Sequence, residues 1–232
     1  MLPPELLLRI EIALALLLRV TVEYRPAAFA SSLGAEDMVL TDMIATHNMG
    51  IDIFTLDTGR LHAETLSLLP EIARRYGREV RVVRPDPAAV GEYVERHGRD
   101  AFLSSVDLRK RCCEIRKVEP LGRALAGKRA WITGMRRGQS SSRADIAIEE
   151  MDKARGLKKF NPLADWSNDN VWSYIRNFDV PFNPLHDKGY PSIGCAPCTR
   201  PVAMGEDPRT GRWWWEQSEK KECGLHRHEA RA

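Results

Sequence analysis

The sequence predicts an α/β fold in which a parallel sheet carries helices on both faces. Short apolar runs bounded by turn residues alternate with helix-length segments up to about residue 135. This alternation is typical of parallel sheets, because crossover connections place helices on both faces of the sheet. Ligands of such sheets bind beyond the carboxyl ends of the strands, so the loops at that edge are the first candidates for a functional site.

The strands and helices are predicted in strict alternation. The predicted strands are Ala27 to Ser31, Ile51 to Leu56, Val80 to Val83 and Ala130 to Thr133. The helices predicted after them are Glu36 to Asn48, Leu61 to Tyr76, Ala88 to Phe102 and Arg109 to Leu125. An amphipathic helix is predicted ahead of the first strand, from Leu6 to Val20, since three charged residues interrupt its apolar run.

Composition limits the classes of function. With 232 residues and 43% hydrophobic residues, the chain can build a full core without disulfide bonds. The 35 basic and 32 acidic residues nearly balance, so composition alone calls for neither nucleic acid nor a membrane, and any anion site must be local. No small-residue cleavage site follows the first apolar stretch, so we expect a cytoplasmic protein whose clustered cysteines bind metal or perform redox chemistry.

We expect one domain over residues 1–232, with three regions. A nucleotide-binding α/β core spans about 25–135, an arginine loop and a cysteine-bearing region span about 136–215, and a tail spans 216–232. The middle region is polar and serine-rich, has a short helix near Asn170 to Asn177, and becomes rich in proline and glycine after Pro181. We expect it to fold back over the sheet.

Two loops at strand ends are candidate anion and nucleotide sites. The first contains Ser31, Ser32, Gly34, Glu36 and Asp37 at the start of a helix, where free N–H groups and the helix dipole favour an anion. The alternative for this loop is an ordinary strand-to-helix turn with a capping side chain.

The second loop contains Leu56, Asp57, Thr58, Gly59 and Arg60 and follows the next strand in the same way. Asp57 could accept from a ribose or a base, and Arg60 could reach a phosphate. The alternative is a turn with a surface arginine. Two such loops at one edge of the sheet favour a nucleotide site over this alternative.

Arginines outside these loops supply further anion ligands. Arg136, Arg137 and Arg143 follow the fourth strand, and their planar guanidinium groups suit phosphate or sulfate oxygens. Arg209 and Arg212 precede three consecutive tryptophans, which we interpret as core or interface packing. A solvated basic loop is the alternative for the first group.

Four of the five cysteines form two pairs, Cys112 with Cys113 and Cys195 with Cys198. A zinc site, a disulfide pair and an iron-sulfur cluster all compete for such a set. Zinc sites prefer two to four residues between paired cysteines, so an adjacent pair fits zinc poorly. A cuboidal cluster presents separate irons that neighbouring thiolates can each ligate, and the spacing therefore favours the cluster.

The fifth cysteine, Cys223, lies in a charged tail. Lys220 and Lys221 precede it, Gly224 follows, and His226 is three positions on. Nearby positive charge lowers the pKa of a thiol and stabilises its thiolate, so we favour a nucleophile over a structural cysteine.

Taken together, these residues resemble the assimilatory sulfonucleotide reductases, specifically the cluster-bearing adenosine 5'-phosphosulfate (APS) reductases. The matching segments run in order from about Ser31 to His226 and include SSLGAEDMVL, LDTGRL, RCCEIRKVEPL, WITGMRRGQSSSR, KFNPLADW, NPLHDKGYPSIGCAPCTR, GRWWWE and KECGLH. The first 25 or so residues carry no distinctive match.

The resemblance implies an adenine nucleotide alpha-hydrolase-like fold, with the first loop as a modified pyrophosphate loop and the second beside adenosine. It implies that the four paired cysteines ligate a 4Fe-4S cluster, that Cys223 is the nucleophile, and that Lys117 bridges cluster and substrate. Arg143, Arg209, Arg212 and His226 would line the phosphosulfate pocket, with Arg136 and Arg137 nearby. APS is then the substrate, reduced thioredoxin or a similar dithiol is the reductant, and we expect a homo-oligomer.

Three alternatives remain at this stage. Reductases of the 3'-phosphorylated substrate (PAPS) typically lack both cysteine pairs, so the pairs argue for APS, with dual use still open. An ATP pyrophosphatase-type adenylating enzyme would use the same first loop but has no need for KECGLH. A metal-binding interaction module would not explain two nucleotide-type loops.

Overall fold

The computed structural model describes residues 2–203, residues 205–216 and residue 225. Its six strands form one sheet in the order β3-β2-β1-β4-β6-β5. The strands are β1 (Ala27–Ala30), β2 (Ile51–Leu56), β3 (Arg81–Val83), β4 (Ala130–Ile132), β5 (Glu149–Asp152) and β6 (Leu157–Phe160). The pairs from β3 across to β6 are parallel, and β5 is antiparallel to β6 at the edge.

Helices fill the connections between the strands. They are α1 (Pro4–Glu23), α2 (Ala35–Thr46), α3 (Ala63–Leu66), α4 (Leu68–Tyr76), α5 (Pro87–His97), α6 (Val106–Cys113), α7 (Glu119–Leu125) and α8 (Asn168–Asn177). A π-helical segment, Glu114–Val118, joins α6 to α7. In the described part of the chain, no helix combines the length and the apolar character needed to cross a bilayer.

Helices cover both faces of the sheet. Successive strand residues point to opposite faces, so each strand contributes to both cores. Phe29 and Ile53 face a core shared with α1, α2, α4 and α8. Ala28, Phe54 and Trp131 face the other side, where α7 covers them. Two-sided burial explains why the central strands read as continuous apolar runs. The predicted α/β class and its parallel sheet are confirmed.

The strand order creates a crevice at one edge of the sheet. The chain leaves β1 toward β2 on one side, whereas β4 lies on the other side of β1. The loops after β1 and β4 therefore diverge, and ligands bind at such switch points. The loops predicted to carry the site lie at this edge.

The predicted elements differ from the structure mainly in helix continuity. The helix predicted over 61–76 is broken at Ser67, and the one predicted over 88–102 ends at His97. The helix predicted over 109–125 contains the π segment, because Pro120 has no N–H to give to the carbonyl of Arg116.

The β5–β6 hairpin was not predicted from the sequence. Its strands are rich in charge, EEMD and LKKF, because β5 lies at the edge of the sheet. Cross-strand ion pairs join Glu149 to Lys158 and Glu150 to Lys159. Strand patterns based on apolar runs do not detect such an edge.

A buried carboxylate joins three helices on the α2 face of the sheet. Asp42 of α2 accepts hydrogen bonds from Tyr76 of α4 at 2.8 Å and from Tyr174 of α8 at 2.7 Å. Burial, with the carboxylate beside them, raises the pKa of both tyrosines, so their hydroxyls remain donors at every physiological pH. These two bonds fix α4 and α8 against α2.

We predict that Tyr174→Phe lowers the free energy of unfolding by about 1–3 kcal/mol at pH 7, because a buried carboxylate loses one of its donors. Urea denaturation checks this. Tyr24→Phe, at a half-buried tyrosine away from Asp42, is the control and should change stability by less than about 0.5 kcal/mol. Equal effects of the two substitutions would contradict the role given to Asp42.

Candidate nucleotide and cysteine site

A cavity of about 460 Å³ opens at the carboxyl edge of the sheet. Loops after β1, β2 and β4 form its floor, and the segment Pro191 to Cys195 with Arg209 and Arg212 covers it. The cysteine-bearing region thus folds back over the sheet, as predicted. The residues predicted to bind substrate that line this cavity are Ser31, Ser32, Gly34, Glu36, Asp37, Leu56, Thr58, Arg136, Arg143, Arg209 and Arg212.

The loop after β1 turns sharply so that the N-terminus of α2 faces the cavity. The N–H of Ser31 extends the sheet by donating to the carbonyl of Phe54 at 2.8 Å. Leu33 then adopts a left-handed backbone with a φ of 61°, and its N–H donates to the Ser31 hydroxyl. Gly34 precedes the helix and borders the cavity. The helix dipole and the N–H groups at this helix start suit a phosphate or sulfate oxygen.

Asp37 joins the loop after β1 to the loop after β4. Its carboxylate accepts from the N–H and the hydroxyl of Ser32, both at 2.6 Å, and from the N–H of Gly134. A Cβ added to Gly134 would lie 2.2 Å from Asp37, so only glycine fits at this contact. Burial raises the pKa of Asp37 to about 6 against the lowering effect of the Ser32 hydrogen bonds.

Glu36 forms an ion pair with Arg136 across the same crevice, at 2.7 Å. Burial on its own would raise the pKa of Glu36, but Arg136 and Gln139 hold it below its ordinary value. Both side chains line the cavity with their charges satisfied by each other. This pair therefore fixes the walls and leaves anion binding to other groups.

The loop after β2 lies between the cavity and the cysteines. Leu56 and Thr58 line the cavity, whereas Asp57 turns outward to Arg84 at 3.0 Å and also caps the N–H of Gly59. Arg60 donates to the carbonyl of Arg99 and to the Asp100 carboxylate, both at 2.7 Å. Contacts of Asp57, Gly59 and Arg60 with a nucleotide stay predictions.

The arginines divide into two sets. Arg143, Arg209 and Arg212 line the cavity. Arg137 does not: it donates to the carbonyl of Ile146 and forms an ion pair with Asp165. Arg212 runs across Gly194, where a Cβ would lie 2.4 Å from the guanidinium group, and it donates to the carbonyl of Ile193. A side chain at position 194 would displace the Arg212 guanidinium group from this place.

Four cysteines gather beside the cavity. Cys113, Cys195 and Cys198 are buried in one apolar group with Phe102 and Trp213, and Cys112 packs against it. All four are free thiols, and a second, smaller cavity lies among them. Burial, reinforced by Cys195, raises the pKa of Cys198 to about 12, so a metal centre would be needed to hold these groups as thiolates.

The four thiols surround a small shared cavity. Among the described residues, no three Cys, His, Asp or Glu side chains converge closely enough to hold one metal ion. Tetrahedral zinc requires such convergence, whereas a cuboidal cluster spreads its thiolates over separate irons. The buried Nε1 of Trp213 also has no hydrogen-bond partner within the described part of the chain. Four free thiols around one small cavity are a donor set that fits a cluster occupying the space between the pairs.

Residues of the loop after β2 and of the π segment connect the cysteines to the nucleotide cavity. The Thr58 hydroxyl lies 3.2 Å from the sulfur of Cys195, and Arg116 donates to the carbonyl of Thr58 at 2.7 Å. Lys117 and Cys195 line both cavities. Positive charge from Arg116 and Lys117 favours the thiolate form of Cys112 against the effect of burial, which raises its pKa.

Sequence reasoning missed a stack of cations around Trp213. Arg109 and Arg212 lie over its ring, with their guanidinium carbons 4.6 and 4.8 Å from a ring centre. Glu216 binds Arg109 in a buried pair at 2.8 Å. Of the three tryptophans interpreted as packing residues, Trp213 is fully buried beside the cysteines, whereas Trp214 is 51% exposed. Arg109 and Glu216 are 107 positions apart in the sequence, so no local sequence pattern predicts their pairing.

His186 is another cavity residue that sequence reasoning did not select. Burial lowers the pKa of this imidazole although Glu36 opposes the shift, so the ring is neutral at pH 7. Its Nε2 is buried and has no partner among the described residues. A neutral imidazole there can donate to or accept from a bound ligand.

Cys223 and His226 lie outside the described residues. Leu225, which stands between them in sequence, is described, and it lines the large cavity beside Trp213 and Trp131. It also packs against the apolar group of the cysteines.

The fold and this site define a nucleotide-binding α/β protein. The structure of an FMN adenylyltransferase from Candida glabrata matches with a TM-score of 0.58 over 97% of this chain and 75% of that one, at 14% identity, a likeness of fold alone. A phosphoadenylyl-sulfate (PAPS) reductase from Candida auris, in a phosphate complex, matches with a TM-score of 0.71 and 27% identity over 86% of this chain and 98% of that one.

Sequence comparisons identify the family within this class of nucleotide-binding proteins. The family model of the phosphoadenosine phosphosulfate reductase domain matches residues 26–201, and the chain belongs to that family. A relative from Burkholderia cepacia, named adenosine 5'-phosphosulfate reductase, is 56% identical over 97% of this chain and 90% of its own length. A relative of the same name from Allochromatium vinosum is 56% identical over 94% of this chain and 85% of its own.

We predict that one carboxyl group titrates near pH 6 and that this signal is absent from Asp37→Asn. The cause is burial of Asp37 between two loops. Carboxyl carbon NMR over pH 4–8 checks it. Because the folded pKa is raised, this group's contribution to stability is full below about pH 4 and declines as the pH rises to about 6, by roughly 3 kcal/mol in total. Titration below pH 4.5 would contradict the burial argument.

Proposed function

We propose that the protein reduces APS to sulfite and AMP in sulfate assimilation, in the reducing cytosol. The observation that carries this proposal is the shared position of Lys117 and Cys195, which line both the nucleotide cavity and the cysteine group. That junction supports one reaction centre that uses both. The APS reductase relatives, 48–56% identical, support the same substrate.

In this proposal, the chain positions the phosphosulfate of APS between the helix start at Gly34 and the arginines above it. Arg143, Arg209 and Arg212 line the cavity and offset the charge of the anion. The apolar walls formed by Leu56, Phe54 and Trp131 suit the adenine ring. Lys117 would lie between this anion and the thiolates.

The Cys223 thiolate would attack the sulfur of the phosphosulfate. A sulfur–sulfur bond forms, the bond from sulfur to the bridging oxygen breaks, and AMP leaves with that electron pair. The product on the protein is a cysteine S-sulfonate. Leu225, two positions after Cys223 in the sequence, lies on the cavity wall.

Reduced thioredoxin, or a similar dithiol, would then complete the cycle. One of its thiolates attacks the Cys223 sulfur and displaces sulfite, forming a mixed disulfide. Its second thiol resolves that disulfide, so the dithiol supplies two electrons and Cys223 returns to the thiol.

We further propose that Cys112, Cys113, Cys195 and Cys198 hold a 4Fe-4S cluster. When bound, the cluster supplies a fixed centre of iron and thiolate charge beside the substrate and need not change its oxidation state. Lys117 and Arg116 supply positive charge at the edge of the cysteine group nearest the cavity. The adjacent pair favours this centre over zinc, because neighbouring thiolates can each ligate a separate iron.

Anaerobic purification with iron and sulfide analysis tests the cluster. We predict about four irons and four sulfides per chain, with a brown colour. Cys113→Ser should lose iron, whereas Cys223→Ser, the matched control, should retain it. A colourless protein with one zinc per chain would overturn this part of the proposal.

Sulfite release from APS with reduced thioredoxin tests the activity. Cys223→Ser should abolish turnover, and Lys117→Ala should lower kcat/KM by about 100-fold with unchanged iron content, because a cation beside the reacting anion is lost. Lys110→Ala, an exposed lysine on α6, is the matched control and should be near wild type.

Two results would contradict this function. Faster turnover of PAPS than of APS at matched concentrations would reassign the substrate. Full turnover by Cys223→Ser would remove the nucleophile and favour an adenylating enzyme of the ATP pyrophosphatase type.

A further inference from the structure

A buried ion pair lies behind one of the arginines that cover the nucleotide cavity. Glu216 accepts two hydrogen bonds from Arg109 of α6, from Nε at 2.8 Å and from Nη2 at 2.9 Å. The side chains of Arg109 and Glu216 are only 3% and 4% exposed. Glu216 lines neither cavity, so the reaction proposed above gives it no contact with the substrate.

Stability alone gives little reason to bury these two charges. Removing a carboxylate and a guanidinium group from water costs free energy, and the attraction between them often fails to offset that cost. A pair of this kind is better suited to fixing one geometry, because the planar guanidinium group and the carboxylate form two parallel bonds at a set angle. The elements that the pair joins therefore indicate what it fixes.

Glu216 closes a turn that begins at Trp213. Its N–H donates to the Trp213 carbonyl at 2.9 Å, and the Trp213 N–H donates to the carbonyl of Cys198 at 3.1 Å. Trp213 has a left-handed backbone with a φ of 44°. A bulky residue rarely adopts this conformation and keeps it only where its surroundings hold it. The guanidinium carbon of Arg109 lies 4.6 Å from a ring centre of the indole, so the ion pair holds both the turn and the ring.

The same turn sets the direction of Arg212. This residue precedes Trp213 in the sequence, and its guanidinium carbon lies 4.8 Å from a ring centre of that indole. Arg212 donates to the carbonyl of Ile193 at 3.1 Å and lines the nucleotide cavity. Within the described part of the chain Arg212 pairs with no carboxylate, whereas Glu216 neutralises Arg109. Of the two cations at the indole, Arg212 is thus the one whose charge is available to an anion.

We propose that Arg109 and Glu216 are positioning residues whose ion pair fixes the turn at Trp213 and so holds Arg212 over the phosphosulfate. This inference rests on the proposed function, in which Arg212 offsets the charge of that anion. Neither residue of the pair lines the nucleotide cavity, so both act through Arg212. A misplacement of about 1 Å in such a group costs up to about 100-fold in rate.

Equilibrium binding of APS to the whole, anaerobically purified protein tests the proposal. Calorimetry is performed in the Cys223→Ser background, in which no covalent product forms. Arg212→Ala should raise the Kd for APS, and Glu216→Gln should raise it by about 10-fold, because a neutral amide cannot hold Arg109 with two charge-assisted hydrogen bonds. Arg109→Lys retains the charge but loses the two parallel bonds, so it should also raise the Kd.

Tyr174→Phe is the matched control, because it removes a buried hydrogen bond to a carboxylate from a residue that lines neither cavity. Its Kd for APS should equal that of the parent protein. Thermal unfolding of every variant measures the loss of stability separately, and the Kd values are compared only well below the unfolding transition.

A double-mutant cycle separates positioning from a merely structural role. Because Glu216 acts through Arg212, the variant with both Arg212→Ala and Glu216→Gln should bind APS no more weakly than Arg212→Ala alone. A substitution that only loosens the fold would instead weaken binding by the same factor in both backgrounds.

Three results overturn the proposal. They are an unchanged or lower Kd for Glu216→Gln, an unchanged Kd for Arg109→Lys, and additive effects of Glu216→Gln and Arg212→Ala. A lower Kd for Glu216→Gln would mean that the carboxylate acts only by cancelling charge. A parent protein that does not bind APS would contradict the proposed function together with this inference, and that result is distinct from the three above.

Discussion

The contact between the loop after β2 and the segment around Cys195 unites the two halves of the site. The Thr58 hydroxyl meets the Cys195 sulfur, the Arg60 carbonyl accepts from the N–H of Ala196 at 2.8 Å, and Arg116 holds the carbonyl of Thr58. Two of these contacts involve only backbone atoms or the short Thr58 and Cys195 side chains, and the Arg116 side chain that makes the third is itself buried. The cysteines are thereby held at a fixed distance from the carboxyl edge of the sheet.

The negative charges in the cavity are compensated by neighbouring protein groups. The loop after β1 brings two carboxylates, Glu36 and Asp37, to a place that is to receive an anion. Arg136 balances the first, and three hydrogen-bond donors surround the second. The arginines of the covering segment, Arg209 and Arg212, line the same cavity. Positive potential is concentrated above the helix start, where an anion also meets the dipole of α2.

The sequence was sufficient for the sheet and for the loops at its edge, because apolar strands and glycine turns are local signals. It was not sufficient for the direction of long side chains. Arg60 and Arg137 stand in the predicted segments, but each binds protein groups. The pairing of Arg109 with Glu216 and the charged edge hairpin depend on contacts that only the folded chain creates. The roles of Cys223 and His226 remain predictions.

The π segment has a consequence for how this site tolerates changes in chain length. Its widened turn, closed by the bond from the N–H of Glu119 to the carbonyl of Glu114, contains one more residue than an α-helical turn. That residue offsets the cysteine pair by about 100° relative to α7. Deleting one residue there would rotate Cys112 and Cys113 away from the other pair while α7 kept its place on the sheet. The spacing between the adjacent pair and Pro120 is therefore under tighter constraint than the identity of most residues within it.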